Sequence, residues 1–249
     1  MQNEIEKVNP AHTFTAYQPS TPEQEKVLHA MQAIADELVL NAREFERATS
    51  PLKYGALWIL SGATGLGKTH LMESIVNAVS RQSPDLLSQI YLARGNFVGN
   101  CLLGVADYTF DKKKIILMDD VFAEYGSVDQ FKSTDATALA NIITYLYESR
   151  TLCVMTSNFA FKDVLLPLIQ KYDPVGRAVS RARDLLSNAA ELVLTGEDYR
   201  LIRAAARDAE ALSENRPFTI SRVDEGAPIR PSGSGEKPRG KGCRIDGTC

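Results

Sequence analysis

The chain has 249 residues, 44% of them hydrophobic, which suits one sizeable core with tails better than two full domains. With 28 basic against 31 acidic residues the net charge is −3, so no overall positive field marks a nucleic-acid partner and any DNA contact must be local. No apolar run approaches the roughly 20 residues that cross a bilayer, and the start MQNEIEKVNP lacks the basic and apolar regions of a secretory signal. The expectation is a cytoplasmic protein with no membrane partner. Four scattered cysteines (Cys101, Cys153, Cys243, Cys249) do not make a disulfide framework, and with His12, His29 and His70 equally dispersed they suggest no His/Cys metal site.

Residues 1–20 lack periodicity and read as an extended arm anchored by Phe14 and Tyr17. Thr21, Pro22 and Gln24 then have the form of a helix start: a hydroxyl cap, proline in the first turn and a capping-box partner. Val27, Leu28, Met31, Ile34, Ala35 and Leu38 follow at helical spacing and predict one buried face. After a linker at 49–55, the short apolar run Ala56 to Leu60 suits a strand buried on both faces. A helix from Lys68 to about Val79 is predicted next, then a break at Ser83 and Pro84 and a strand over Gln89 to Ala93, which makes a βαβ pattern. Residues 95–111 are ambiguous and read as helical in part. A third strand is expected over Ile115 to Met118, ending in Asp119 and Asp120. Leu139, Ile142, Ile143 and Leu146 mark an amphipathic helix, Leu152 to Thr156 a fourth strand and Glu191 to Leu194 a fifth. From 215 onward, six glycines, four prolines and little apolar periodicity describe a disordered tail, whose seven basic and four acidic residues give it a net +3.

The segment Gly62-Ala63-Thr64-Gly65-Leu66-Gly67-Lys68-Thr69 matches G-x-x-x-x-G-K-[ST] in full and lies between a predicted strand and a predicted helix. Glycines let backbone N–H groups turn toward phosphates, and the helix N-terminus adds partial positive charge. Lys68 is expected to reach the β and γ phosphates and Thr69 to ligate Mg²⁺. His70 follows directly and is counted with the nucleotide-binding residues, although packing on the first helical turn explains it better. The strand Ile115-Ile116-Leu117-Met118-Asp119-Asp120 supplies the acid such a site needs. Asp119 is assigned to the metal and Asp120 to orienting the attacking water as general base. Two acids merely capping a strand would be the plainer reading. Asn158, after the fourth strand, is expected on the same sheet edge, in contact with the γ phosphate or its water, though turn-forming asparagine is common after strands.

Arg177, Arg181 and Arg183 crowd VGRAVSRARDLL, either as a solvated helix face or as the source of an arginine for a neighbouring subunit's nucleotide. Lys112, Lys113 and Lys114 precede a very apolar strand. Gatekeeping against aggregation explains them, and so does a single-stranded DNA site that would use Arg94, Phe97, Tyr108 and Phe110 as neighbours.

Taken together, TFTAYQPSTPEQ (13–24), GATGLGKTHL (62–71), ILMDDV (116–121), MTSN (155–158), VGRAVSR (175–181) and GEDYR (196–200) resemble the DnaC/IstB branch of the AAA+ initiator clade, helicase loaders and transposition helpers. The resemblance implies an α/β P-loop AAA+ core, a parallel five-stranded sheet flanked by helices with the lid domain absent or minimal. Composition and periodicity divide the chain into an N-terminal arm (1–20), an N-terminal helix packed on the core (21–48), an ATPase domain (49–214) and a disordered basic tail (215–249). The resemblance gives Asn158 a sensor role, Arg181 the arginine-finger role and Arg200 that of a further phosphate sensor. The function it implies is an Mg²⁺-dependent ATPase that assembles into an oligomer on DNA, preferably single-stranded. The client would be a replicative helicase or, alternatively, a transposase. A nucleotide-dependent adaptor that does not hydrolyse ATP is the reading from a different class.

Overall fold

The computed structural model describes residues 4–46, 52, 54–96, 98–99, 110, 113–173, 175–187, 191–201 and 204. All of them fall within one unit, Met1–Ala206; the second, Arg207–Cys249, contains the predicted tail and lies outside the described residues.

Successive strand side chains point to opposite faces, and a strand apolar at every position needs a cover on both. In β1 (Ala56–Gly62), Ala56, Trp58 and Leu60 join one buried cluster while Leu57 and Ile59 join another. The first cluster is covered by α1 (Pro22–Glu46) and α2 (Lys68–Gln82). The second is covered by α3 (Ser133–Ser149), α4 (Leu166–Tyr172) and α5 (Arg177–Ser187). The remaining strands are β2 (Ile90–Arg94), β3 (Ile115–Val121), β4 (Leu152–Ser157) and β5 (Glu191–Leu194), in the order β2-β3-β4-β1-β5 with every pairing parallel. The fold is therefore the expected α/β one, a five-stranded parallel sheet flanked by helices. From β1 the chain crosses to the far edge at β2 and returns through β3 to β4, which leaves a crevice at the carboxyl end of β1 where open α/β sheets bind ligands.

Three local features depart from the sequence reading. The Thr21 hydroxyl accepts the Gln24 N–H at 3.2 Å as expected, but the Gln24 side chain accepts from the Ser20 N–H at 2.7 Å instead of closing a box on Thr21. The Gln24 amide then donates to the Thr195 carbonyl at 2.9 Å, tying the start of α1 to the exit of β5. The arm is bound more than extended. It carries a 3₁₀ turn at Ile5–Lys7, its Glu4 N–H reaches the Leu92 carbonyl at 3.1 Å, and Asn77 of α2 holds the Asn9 and His12 carbonyls at 3.0 and 2.7 Å. Finally, β3 does not stop at Met118. Its ladder with β4 breaks after Met118 and resumes at Val121 opposite Ser157, so both acids sit in a bulge.

Candidate nucleotide-binding site

The phosphate loop leaves β1 at Gly62 and enters α2 at Lys68, with Gly62, Gly65 and Gly67 at φ +152°, +83° and +90°, conformations that side chains rarely adopt. Glycine is also required by what surrounds the loop. A Cβ on Gly67 would lie 2.8 Å from the Tyr17 ring, and one on Gly65 would lie 2.0 Å from the Asp198 carboxylate. Tyr17 is buried and donates its hydroxyl to the Leu66 carbonyl at 3.1 Å; the Tyr199 N–H donates to the Gly65 carbonyl at 2.9 Å. Burial and the neighbouring Tyr199 push the Tyr17 phenol up to about 12, so it stays a donor. Segments 13–24 and 196–200, two of those that resemble the family, thus clasp the loop from its two sides.

The Lys68 ammonium donates to the Gly62 and Ala63 carbonyls and to the Asn158 side-chain oxygen, each at 2.8 Å. Burial lowers its pKa, Asp120 and Asp119 oppose that, and Arg200 adds to it. Lys68 and Asn158, 90 residues apart, therefore meet on one edge of the sheet, as expected. Thr69 donates its hydroxyl to the Asp119 carboxylate at 3.3 Å. A hydroxyl and a carboxylate side by side are hard oxygen donors of the kind Mg²⁺ takes, so the pair fits the metal that the sequence assigned to it.

Asp119 is 3% exposed, and burial raises its pKa against the hydrogen bonds from Thr156 and Thr69 and the charge of Arg94. Thr156 carries most of the organisation here, a role that nothing in its sequence context signals. Its fully buried hydroxyl donates to Asp119 Oδ1 at 2.7 Å and accepts the Asp120 N–H at 2.8 Å, replacing the ladder bond that the bulge removes. Asp120 takes up φ +62°, tolerable for aspartate, and its side chain is partly exposed beside the buried Asp119. One carboxylate is thus in the structure and the other at its surface.

Behind these groups lies an ion network. Arg94, the last residue of β2, pairs with Glu73 of α2 and places Nε 3.8 Å from Asp119 Oδ2. Glu73, 3% exposed, also accepts from His12 Nδ1 at 2.5 Å and from the Asn9 N–H at 3.2 Å. His70 bonds the Thr13 carbonyl at 2.9 Å through Nε2 and stacks on His12 with ring centroids 4.4 Å apart, so it fastens the arm to α2, in line with the packing reading.

The described residues among those read as a DNA patch do not all lie on the surface. Arg94 belongs to this buried network, and Phe110 is fully buried, edge-on to Tyr91 at 5.1 Å. Lys113 donates to the Ser88 carbonyl at 2.7 Å, while Phe97, Tyr108 and Lys112 lie outside the described residues. Among the candidate arginines, Arg181 is held against α3 by Thr144 at 3.1 Å and Glu148 at 2.7 Å, over the Tyr147 ring. Those partners lie in the half of α3 that leads to the amino end of β4, away from the sheet edge that carries the phosphate loop. Arg177 and Arg183 are exposed, and Arg177 lines a cavity of about 300 Å³ with Thr144, Asp173 and Arg181. Arg200 instead folds onto Asp198, with its N–H at 2.8 Å and Nε at 3.3 Å, which holds the Asp198 carboxyl below its usual range.

The model of the bacterial DnaA ATPase domain matches residues 27–164, more than half of the chain and the whole span from α1 through the loop, both acids and Asn158. The chain belongs to the bacterial DnaA ATPase-domain family. Its sequence is 29% identical over 137 residues to the chromosomal replication initiator protein DnaA of Oenococcus oeni, a match covering 52% of this chain and 29% of that protein. The chain thus spans less than a third of that relative's length. Domain III of the Thermotoga maritima replication initiation protein DnaA superposes with a TM-score of 0.53 at 24% identity, covering 83% of this chain and 76% of that one. DnaI superposes with a TM-score of 0.51 at 18% identity, covering 80% and 94%. At these identities the two structures establish a shared fold. The relationship to the AAA+ initiator clade expected from the sequence therefore stands, and this chain is a replication-initiator-like AAA+ ATPase domain. Among the described residues no helix is long and apolar enough to cross a membrane.

Proposed function

We propose that this protein is a nucleotide-switched assembly ATPase of DNA replication that loads a replicative helicase. ATP is held between neighbouring subunits, and hydrolysis releases the client or the assembly. The observation that carries the reading is the convergence of Lys68, Thr69, Asp119, Asp120 and Asn158 on one sheet edge beside the phosphate loop. Gly62 to Thr69 would cradle the phosphates, Lys68 would exchange its loop carbonyls for phosphate oxygens, and Thr69 with Asp119 would hold Mg²⁺, which would supply positive charge against the negative charge that develops on the phosphates during transfer. Asp120 would orient the attacking water and Asn158 the γ phosphate.

Completion of the site from a second subunit is part of the proposal. Arg181 would serve a neighbour's nucleotide, and its present partner favours that exchange: Glu148 is 59% exposed, and such ion pairs contribute only about 0–1 kcal/mol. The DNA and helicase partners rest on family membership and on the resemblance of the sequence to loaders. Neither Lys68→Ala, with a dead pocket and intact finger, nor Arg181→Ala, the reverse, is expected to hydrolyse ATP alone. An equimolar mixture should recover turnover that grows with protein concentration, as a subunit interface demands. A mixture that co-assembles by light scattering yet stays inactive would overturn the shared site, and normal turnover by Lys68→Ala would overturn the assignment of the phosphate loop.

A further inference from the structure

The bulge that frees Asp119 and Asp120 leaves the carboxyl ends of β3 and β4 without a continuous backbone ladder. Immediately beyond each end stands a phenylalanine. Phe122 follows Asp120 by two residues, is fully buried and has φ +63°, while Phe159 follows Asn158 directly. A third ring, Phe131, meets both edge to face, with centroids 5.0 Å from Phe122 and 4.9 Å from Phe159, and meets Tyr125 in the same way at 5.1 Å. Phe131 is the residue before the cap of α3, where the exposed segment 123–130 turns into that helix. Edge-to-face pairs have a preferred geometry, so a ring gripped on three sides transmits displacement as a rigid wedge does.

We propose that Phe131 is a positioning residue for hydrolysis: its ring fixes the turn bearing Asp120 relative to the turn bearing Asn158, and so links the surface segment 123–130 to turnover. This rests on the proposed roles of Asp120 and Asn158. Thr69 and Asp119 are held by other contacts, and Lys68 keeps its bonds to the Gly62 and Ala63 carbonyls whatever the Asn158 turn does, so nucleotide affinity depends little on Phe131. A shift of the reacting groups by about 1 Å can lower a rate by about 10²-fold.

The test measures kcat and, separately, the dissociation constant for a fluorescent ATP analogue in the full chain, well below each variant's melting midpoint. Phe131→Ala should lower kcat by about 10-fold or more and leave the dissociation constant within about 2-fold. Phe131→Tyr, which keeps the ring, should restore kcat, and Phe131→Leu, apolar but ringless, should stay impaired. Phe131→Ala with the turnover of the unmutated chain, or Leu restoring as well as Tyr, would overturn the proposal, as would equal losses in kcat and affinity. Asp120→Asn run alongside separates the two levels. If it too keeps full turnover, the assignment of the base has failed; if it is inactive while Phe131→Ala is not, only the wedge has failed.

Discussion

Replacing Thr156 by valine keeps shape and removes one hydroxyl, so it isolates the hydrogen bonds that bridge the two acids. Two bonds are lost: the donor to the buried Asp119 carboxylate at 2.7 Å and the acceptor for the Asp120 N–H at 2.8 Å. A bond to a charged group contributes about 1.5–3 kcal/mol, and an amide left without a partner costs about 1–3 kcal/mol. The added methyl offsets about 0.8 kcal/mol by burial. The net expectation is a destabilisation of about 2–5 kcal/mol, and at about 2–4 °C per kcal/mol for a chain of this size the melting midpoint should fall by about 4–20 °C. Turnover should fall by about 10-fold or more even where the variant is fully folded, because both acids lose their common support. Thr156→Ser keeps the hydroxyl and should retain turnover within about 3-fold while losing about 1 kcal/mol of packing. Denaturant melts and steady-state ATPase assays on the pair decide the matter. A valine variant as stable and as active as the serine variant would refute the reasoning.

Asp120→Asn should leave ATP binding intact and lower hydrolysis by about 10²-fold or more, the contribution of a general base. If nucleotide titration shows binding lost as severely as in Asp119→Asn, the two acids have been assigned the wrong way round. Gly65→Ala places a Cβ 2.0 Å from the Asp198 carboxylate at φ +83°, which should force the 196–200 segment off the loop. ATP affinity is expected to fall by about 10-fold or more for the roughly 1–3 kcal/mol of strain involved, and an unchanged titration curve would show that the segment is not part of the pocket.

The strand, loop and helix around Lys68 were legible because the motif constrains all three at once. What the sequence could not convey was set by distant partners. Asp119 and Asp120 follow an apolar run and so read as the end of a strand, but β3 continues to Val121 because hydroxyls from Thr156 and Ser157 take over where backbone pairing fails. Thr156 lies 36 residues from the amide it accepts, and in the sequence it is one β-branched residue in a strand. Arg94 and Phe110 were misread for a related reason. Basic and aromatic composition suggests a surface, while burial depends on what arrives from elsewhere, here Glu73 for the arginine and Tyr91 for the phenylalanine. Arg181 was visible as an arginine in a suggestive run; that Glu148 and Thr144 hold it was not.

Two of the segments that resemble the loader branch, 13–24 and 196–200, lie outside the phosphate motif, and both touch it. Any P-loop needs glycines and a lysine, but here Gly67 abuts Tyr17 from the amino-terminal arm and Gly65 abuts Asp198 from beyond β5. Gln24, fully buried, then joins the two flanks through Ser20 and Thr195, and Gly196 admits that side chain where a Cβ would lie 2.4 Å from its amide nitrogen. The walls of the pocket are therefore joined to one another as well as to the loop. Opposing this closure, the carboxyl end of β3 concentrates unfavourable terms, a buried carboxylate with a raised pKa and two residues at positive φ, Asp120 and Phe122, on either side of Val121. Groups of this kind persist where surrounding structure over-determines them, and a ligand that neutralises the carboxylate stabilises the native state in proportion to its binding. Thr156 and Ser157 thus hold the acids in an arrangement that a metal-bound nucleotide would favour over the free chain.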